Sequence, residues 1–178
     1  QLVNCKDISF LHGNDCWTKI SDQHLGIINA NKSNKLIYAS QIAAADAWPA
    51  GYYCYDFEER KSLSDARVTR NLVQVLENTE NLSADSFLHY AGHVKIFSDN
   101  DVINELSGFV EDDIINKVYR DQFNKGEITF SEEVLLDLKA GDKLREGHVI
   151  RGVGRNVYSS HHIKEASVSY WEEYGVFP

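Results

Sequence analysis

The chain has 178 residues, 43% of them hydrophobic and 25% charged, with a formal net charge of −9. That length suits one domain, residues 1–178, with enough apolar content to bury a core, and the balance lies outside the composition of disordered chains. An acidic chain lacks the basic face that neutralises phosphates, so nucleic acid is excluded as a partner, and no apolar run of the roughly 18 to 20 residues needed for a membrane helix is present.

The first 34 residues alternate short apolar pieces, LVNC and ISFL, with polar corners such as HGND and NANKSN, and predict a strand or two with loops. LIYASQIAAADAW, from Leu36 to Trp48, is rich in Ala and free of Gly and Pro, which predicts a helix apolar on nearly every side and therefore buried. GYYCYDF is aromatic and strand-like. Ser62, three residues before Asp65, opens a second helix that carries Leu63, Ala66, Leu72, Val73 and Leu76 at helical spacing until ENTEN.

SFLHYAGHVKIFSD reads as a strand with a bulge at Gly92, and DNDVINELSGFVEDDIINKVYRDQF as a helical stretch stopped at Gly108 and at the NKG turn. EITFSEEVLLDL, KLREGHVIRGV and RNVYSSHHIKEASVSYW complete a predicted meander, turning at Ala140–Asp142 and Gly152–Asn156. In the last piece Ile163, Ala166, Tyr170, Trp171 and Tyr174 fit a helix equally well.

A buried helix with an antiparallel meander around it, closed by a GD corner before a long returning strand, resembles the hotdog acyl-thioesterases and dehydratases. The resemblance implies an α+β fold, a curved and mainly antiparallel sheet wrapped on LIYASQIAAADAW, with additional helices over residues 62 to 120. It implies a homodimer acting on acyl thioesters of coenzyme A or acyl-carrier protein, or on another apolar small molecule, without a cofactor. The residues suited to act near the thioester are Asp22 and His24 in SDQH, and Gln41 and Asp46 on the helix, as general bases or polar groups facing the carbonyl.

Two further chemistries are legible. NDCWTKI and AGHVKIF resemble the cysteine–histidine pair of the NlpC-type and CHAP amidases, with Cys16 as nucleophile, His93 as base and Asn104 or Glu105 orienting the ring. The exposed-looking aromatics Tyr52, Tyr53, Tyr55 and Phe57 suit a non-catalytic binding, sensor or inhibitor module.

The histidines offer no metal site. His89 and His93 on one strand stand roughly 13 Å apart, and His161 and His162 point to opposite faces. Arg145, Arg151 and Arg155, with Glu146 among them, read as a solvated edge. Three cysteines, Cys5, Cys16 and Cys54, cannot all pair. That favours reduced thiols and a cytoplasmic location over a periplasmic or secreted one, although a Cys5–Cys16 bridge fits the spacing. Gln1 and the lack of any Met read as a processed or trimmed product.

Overall fold

The computed structural model describes residues 1–13, 18–42, 48–90, 106, 112–138, 141–145, 148–152, 168–169 and 172–173. Its elements run β1 (Leu2–Cys5), β2 (Ile8–His12), α1 (Asp22–Asn31), β3 (Lys35–Gln41), α2 (Phe57–Asn81), β4 (Ser86–Tyr90), α3 (Asp112–Lys125), a single 3-10 turn (Glu132–Val134), β5 (Leu135–Leu136), β6 (Lys143–Arg145) and β7 (His148–Ile150). The first five strands form an open sheet in the order β1-β2-β3-β4-β5, and β6 and β7 form a separate antiparallel hairpin. The fold is α+β with a mixed sheet: β1 is antiparallel to β2, and the pairings of β2 with β3, β3 with β4 and β4 with β5 are parallel.

Lys35–Gln41 is thus a strand, where a helix from Leu36 to Trp48 was expected. A central parallel strand is buried on both faces and so reads as a continuous apolar run. Leu36 to Ser40 are all buried, and over so short a run periodicity does not separate such a strand from a buried helix. The Ala-rich remainder of that segment, residues 43–47, lies outside the described residues.

Alternation along the strands sorts side chains onto two faces. Leu11, Leu36, Tyr38 and Phe87 share one face and pack against Leu25 and Ile28 of α1, Val68, Leu72, Val75 and Leu76 of α2, and Ile115, Val118 and Tyr119 of α3. Strand order advances in one direction from β2 to β5, and crossovers of constant hand then set every helix on the same side. On the opposite face stand Phe10, His12, Ile37, Ala39, Gln41, Leu88 and Tyr90.

The register is locked at the amino edge. Leu36 N–H donates to Asp85 Oδ2 at 2.8 Å, Asp85 N–H donates to Leu36 O at 2.9 Å, and Lys35 N–H donates to Asp7 O at 3.0 Å. Behind the sheet, the buried Asn78 of α2 holds residues 18–20: its Nδ2 donates to Thr18 O and its Oδ1 accepts from Ile20 N–H. A buried amide satisfied on both ends fixes that segment's path.

α2 starts earlier than Ser62. Asp56 and Glu59 form the capping box, each side chain bonding the other's backbone N–H, and GYYCYDF is a pair of turns leading into it. Aromatic strand propensity carries little weight where no neighbouring strand pairs with the segment. The predicted strand in SFLHY and the helix end at NKG are both borne out, the latter with Gly126 at φ 74°. Gly92 and Gly108 lie outside the described residues.

EITFSEEVLLDL is no long strand. Ser131 caps the 3-10 turn, and only Leu135 and Leu136 pair with β4, in parallel, so over the described residues β5 and the β6–β7 hairpin stand where the meander was expected, and its last piece, at residues 153–167, lies outside them. The GD corner does turn, with Gly141 at φ 91°. Asp142, whose carboxylate is fully covered, accepts from Gly152 N–H and Arg151 Nη1, both at 2.9 Å, and Arg151 also donates to Asp137 O. Arg151 is therefore engaged within the chain. Val168, Ser169, Glu172 and Glu173 are helical, which favours the helical spacing of the last segment at those residues.

Glu80 ties the end of α2 to the stretch after α3. Its carboxylate accepts from Thr129 Oγ1 at 2.6 Å, Thr129 N–H at 3.0 Å and Phe130 N–H at 3.3 Å. Burial pushes this carboxyl up, but the bonds from Thr129 and Phe130 prevail and hold it below its ordinary value. Alongside, Tyr119 donates to Phe130 O at 2.6 Å, and burial with the charges of Glu132 and Glu80 raises its phenol.

Two outcomes follow. A carboxyl lowered by folding adds stability above its unfolded pKa and loses it as pH falls through the folded value. Glu80→Gln should therefore cost on the order of 1 kcal/mol at pH 7, and urea melts should show the gap to wild type closing below about pH 4. Gly26 sits inside α1 with open space around its Cα. Gly26→Ala should raise stability by about 0.5–1 kcal/mol in the same melts.

Candidate functional site at the carboxyl edge of the sheet

β2, β3 and β4 run in one direction, so their carboxyl ends, at His12, Gln41 and Tyr90, open on the same edge. In parallel sheets, the loops leaving this edge are where functional groups collect. His12 and Tyr90 rise from the strands on either side of β3, level with Ala39 and Gln41, and their rings stack at 5.1 Å between centroids and 14° between planes. Phe10 extends the stack, 6.3 Å from His12.

The edge is also tight in the backbone. Gly13 N–H donates to Ala39 O at 2.7 Å, carrying the β2–β3 ladder one residue past His12, and Ile42 N–H donates to Tyr90 O at 3.3 Å. A Cβ on Gly13 would come within 3.2 Å of the Tyr38 ring and 3.3 Å of Ala39 O and Ser40 Oγ. His12, Gln41 and Tyr90 are half-buried, and His89, on the helix-covered face, is buried.

Of the residues expected to act near a thioester, Gln41 reaches this edge as the last residue of β3, where a helix position was expected. Asp22 and His24 are exposed in the first turn of α1. Ser21 Oγ accepts from His24 N–H at 3.3 Å and lies 3.0 Å from His24 Nδ1. Asp22 complements the positive end of the helix, so both residues serve the cap. Asp46, Cys16, His93, Asn104 and Glu105 lie outside the described residues. Cys5 and Cys54 are free and exposed, against the Cys5–Cys16 bridge that the spacing allowed.

The loop after β3 is built on two arginines of α2, seven positions apart and so on one helix face. Arg67 donates to Trp48 O with its guanidinium 5.4 Å from the centre of the Trp48 ring. Arg60 donates to Ala50 O at 3.0 Å and lies 5.5 Å from the centre of the Tyr53 ring. His12, Tyr90 and this arginine pair escaped sequence reasoning; the usable signal was HG closing the alternating strand ISFLHG. Among the described residues, no group of three or more His, Cys, Asp or Glu side chains is placed to hold a metal.

The chain matches no family model, no curated protein and no solved structure.

Arg67→Ala should free the loop. Chymotrypsin should then cut after Tyr52 or Tyr53 several-fold faster than in wild type, as read by mass spectrometry, with far-ultraviolet circular dichroism unchanged.

Proposed function

We propose that this chain is a thiol-dependent acyl hydrolase acting at the carboxyl edge of its parallel sheet. Cys16 is the nucleophile, His93 the general base and Asp46 the carboxylate that orients it. The stack of His12 on Tyr90 carries the reading, because it brings the exits of β2 and β4 together across β3. Cys16 follows Gly13 by three residues, and His93 follows Tyr90 by three. Three residues of chain reach about 11 Å, and two strand spacings amount to about 9.6 Å, so contact between thiol and imidazole is within covalent reach. Asp46 follows Ile42, at the exit of the intervening strand, by four.

In the proposed chemistry, His93 takes the Cys16 proton and the thiolate attacks the acyl carbon of a thioester or amide. The tetrahedral oxyanion accepts a hydrogen bond from the Gln41 side-chain amide. Its collapse expels the leaving thiol or amine, which takes the proton from the imidazolium, and water activated by His93 then hydrolyses the acyl-enzyme. The acyl-thioester substrate class expected from the hotdog resemblance is kept. The helix-centred geometry is not, because β3 occupies that segment. Asp22 and His24 are left to the helix cap.

Site-resolved alkylation at pH 6 tests the proposal, with the exposed Cys5 and Cys54 as internal references. An ordinary thiol with a pKa near 8.5 is about 0.3% thiolate at that pH, and a base-paired one is one to two orders of magnitude more ionised. Cys16 should react at least about tenfold faster than either reference. His93→Ala should erase the advantage, and Cys16→Ser should abolish turnover of an acyl thioester. Equal rates at all three cysteines would overturn the assignment.

A further inference from the structure

We infer that residues 48–56, the described stretch ahead of α2, form a docking surface for an arginine-rich protein segment. Tyr52, Tyr53 and Tyr55 are 50%, 88% and 39% exposed, and they are three of the eight large hydrophobic side chains exposed among the described residues. Such a concentration on one short loop marks a contact surface, and tyrosine suits contact because it offers area and a hydroxyl with few rotatable bonds.

Residues 48–56 are already tied into a fixed shape. Tyr52 N–H donates to Pro49 O at 3.0 Å, Tyr55 N–H donates to Tyr52 O at 3.3 Å, and the Asp56–Glu59 box closes the far end. Arg60 and Arg67 hold the near end through Ala50 O and Trp48 O. A surface ordered beforehand loses little entropy when a partner arrives.

Charge selects the partner. Asp56, Glu58 and Glu59 are exposed beside the tyrosines, in a chain of net charge −9. The nearby cations are engaged: Arg60 lies against Tyr53 and donates to Ala50 O and Asp56 O, and Lys61 pairs with Asp65 at 3.2 Å. Asp56 Oδ1 and Glu59 Oε2 accept within the capping box, and Glu58 with the outer oxygens of those two carboxylates stands beside the aromatic rings. A guanidinium satisfies both, stacking on the ring and bonding carboxylate oxygens in parallel, where an ammonium offers only a point charge. Arg60 already stacks on Tyr53 from within the chain, and a ring 88% exposed presents its other face to a second guanidinium.

Cys54, exposed between Tyr53 and Tyr55, supplies the readout. The protein is alkylated in 150 mM salt alone, with octa-arginine and with octa-lysine, and Cys5 on β1 serves as the reference. Each stacked pair is worth about a factor of two to five. Octa-arginine should therefore slow modification of Cys54 at least about fivefold more than octa-lysine does, and leave Cys5 unchanged. The Tyr52→Ser, Tyr53→Ser double variant should lose that difference, whereas Tyr53→Phe should keep it. Equal protection by the two peptides, no protection by either, or a difference that survives the double variant would overturn the inference. These side chains are exposed, so the substitutions leave the core intact.

Discussion

The arrangement depends on a seven-residue strand that is wet at neither face. Lys35–Gln41 pairs with β2 on one side and β4 on the other, and five successive residues within it are buried. Because it runs parallel to both neighbours, the crossovers on each side require helices, and because strand order never reverses, those helices share one face. The apolar side chains of α1, α2 and α3 converge on Leu36 and Tyr38 for that reason. A constant strand order also means that no reversal point opens a crevice, so a site at the carboxyl edge has to be assembled by the loops themselves.

Ala39 lies where the two roles of this strand meet. Its carbonyl accepts the Gly13 hydrogen bond, and on the face it shares with His12 and Tyr90 the two flanking strands meet through their rings. That contact lies at the edge from which the chain proceeds to Cys16, Asp46 and His93. The two arginines of α2 do a related job on the following loop, holding its carbonyls and stacking on its rings, so that the tyrosines project from a fixed frame. Stability is distributed elsewhere: Asn78 and Glu80 satisfy backbone donors from segments far along the chain, and Asp142, through Arg151, ties the β6–β7 hairpin to the residue after β5.

Much of the element order was legible. SFLHY, the helix ending at NKG and the turn at the GD corner follow from local signals, namely alternation, a glycine at positive φ and a turn residue. The errors arose where tertiary context outweighs local preference. LIYASQ has helix-compatible composition and becomes a strand because it is buried on both sides. GYYCYDF has strand propensity and becomes turns because it has no ladder to join. ITFSEE is claimed by Glu80 and by the Ser131 cap before it can pair.

The candidate site was legible only in part. Cys16 and His93 were proposed from residue type and order and lie outside the described residues, whereas the proximity of the strand exits is a property of pairing. No spacing along the chain encodes that His12 and Tyr90, 78 positions apart, share a face on either side of β3. Asp22 and His24 show the converse. SDQH looks like chemistry, and in the fold it is a helix start.

The decisive measurement is a nuclear Overhauser spectrum with the His12 and Tyr90 rings assigned. Cross-peaks between the two rings are the predicted result for rings 5.1 Å apart across β3. Assigned rings with no such cross-peaks would mean that the side chains of β2 and β4 do not meet across β3. The carboxyl-edge site would then lose its foundation.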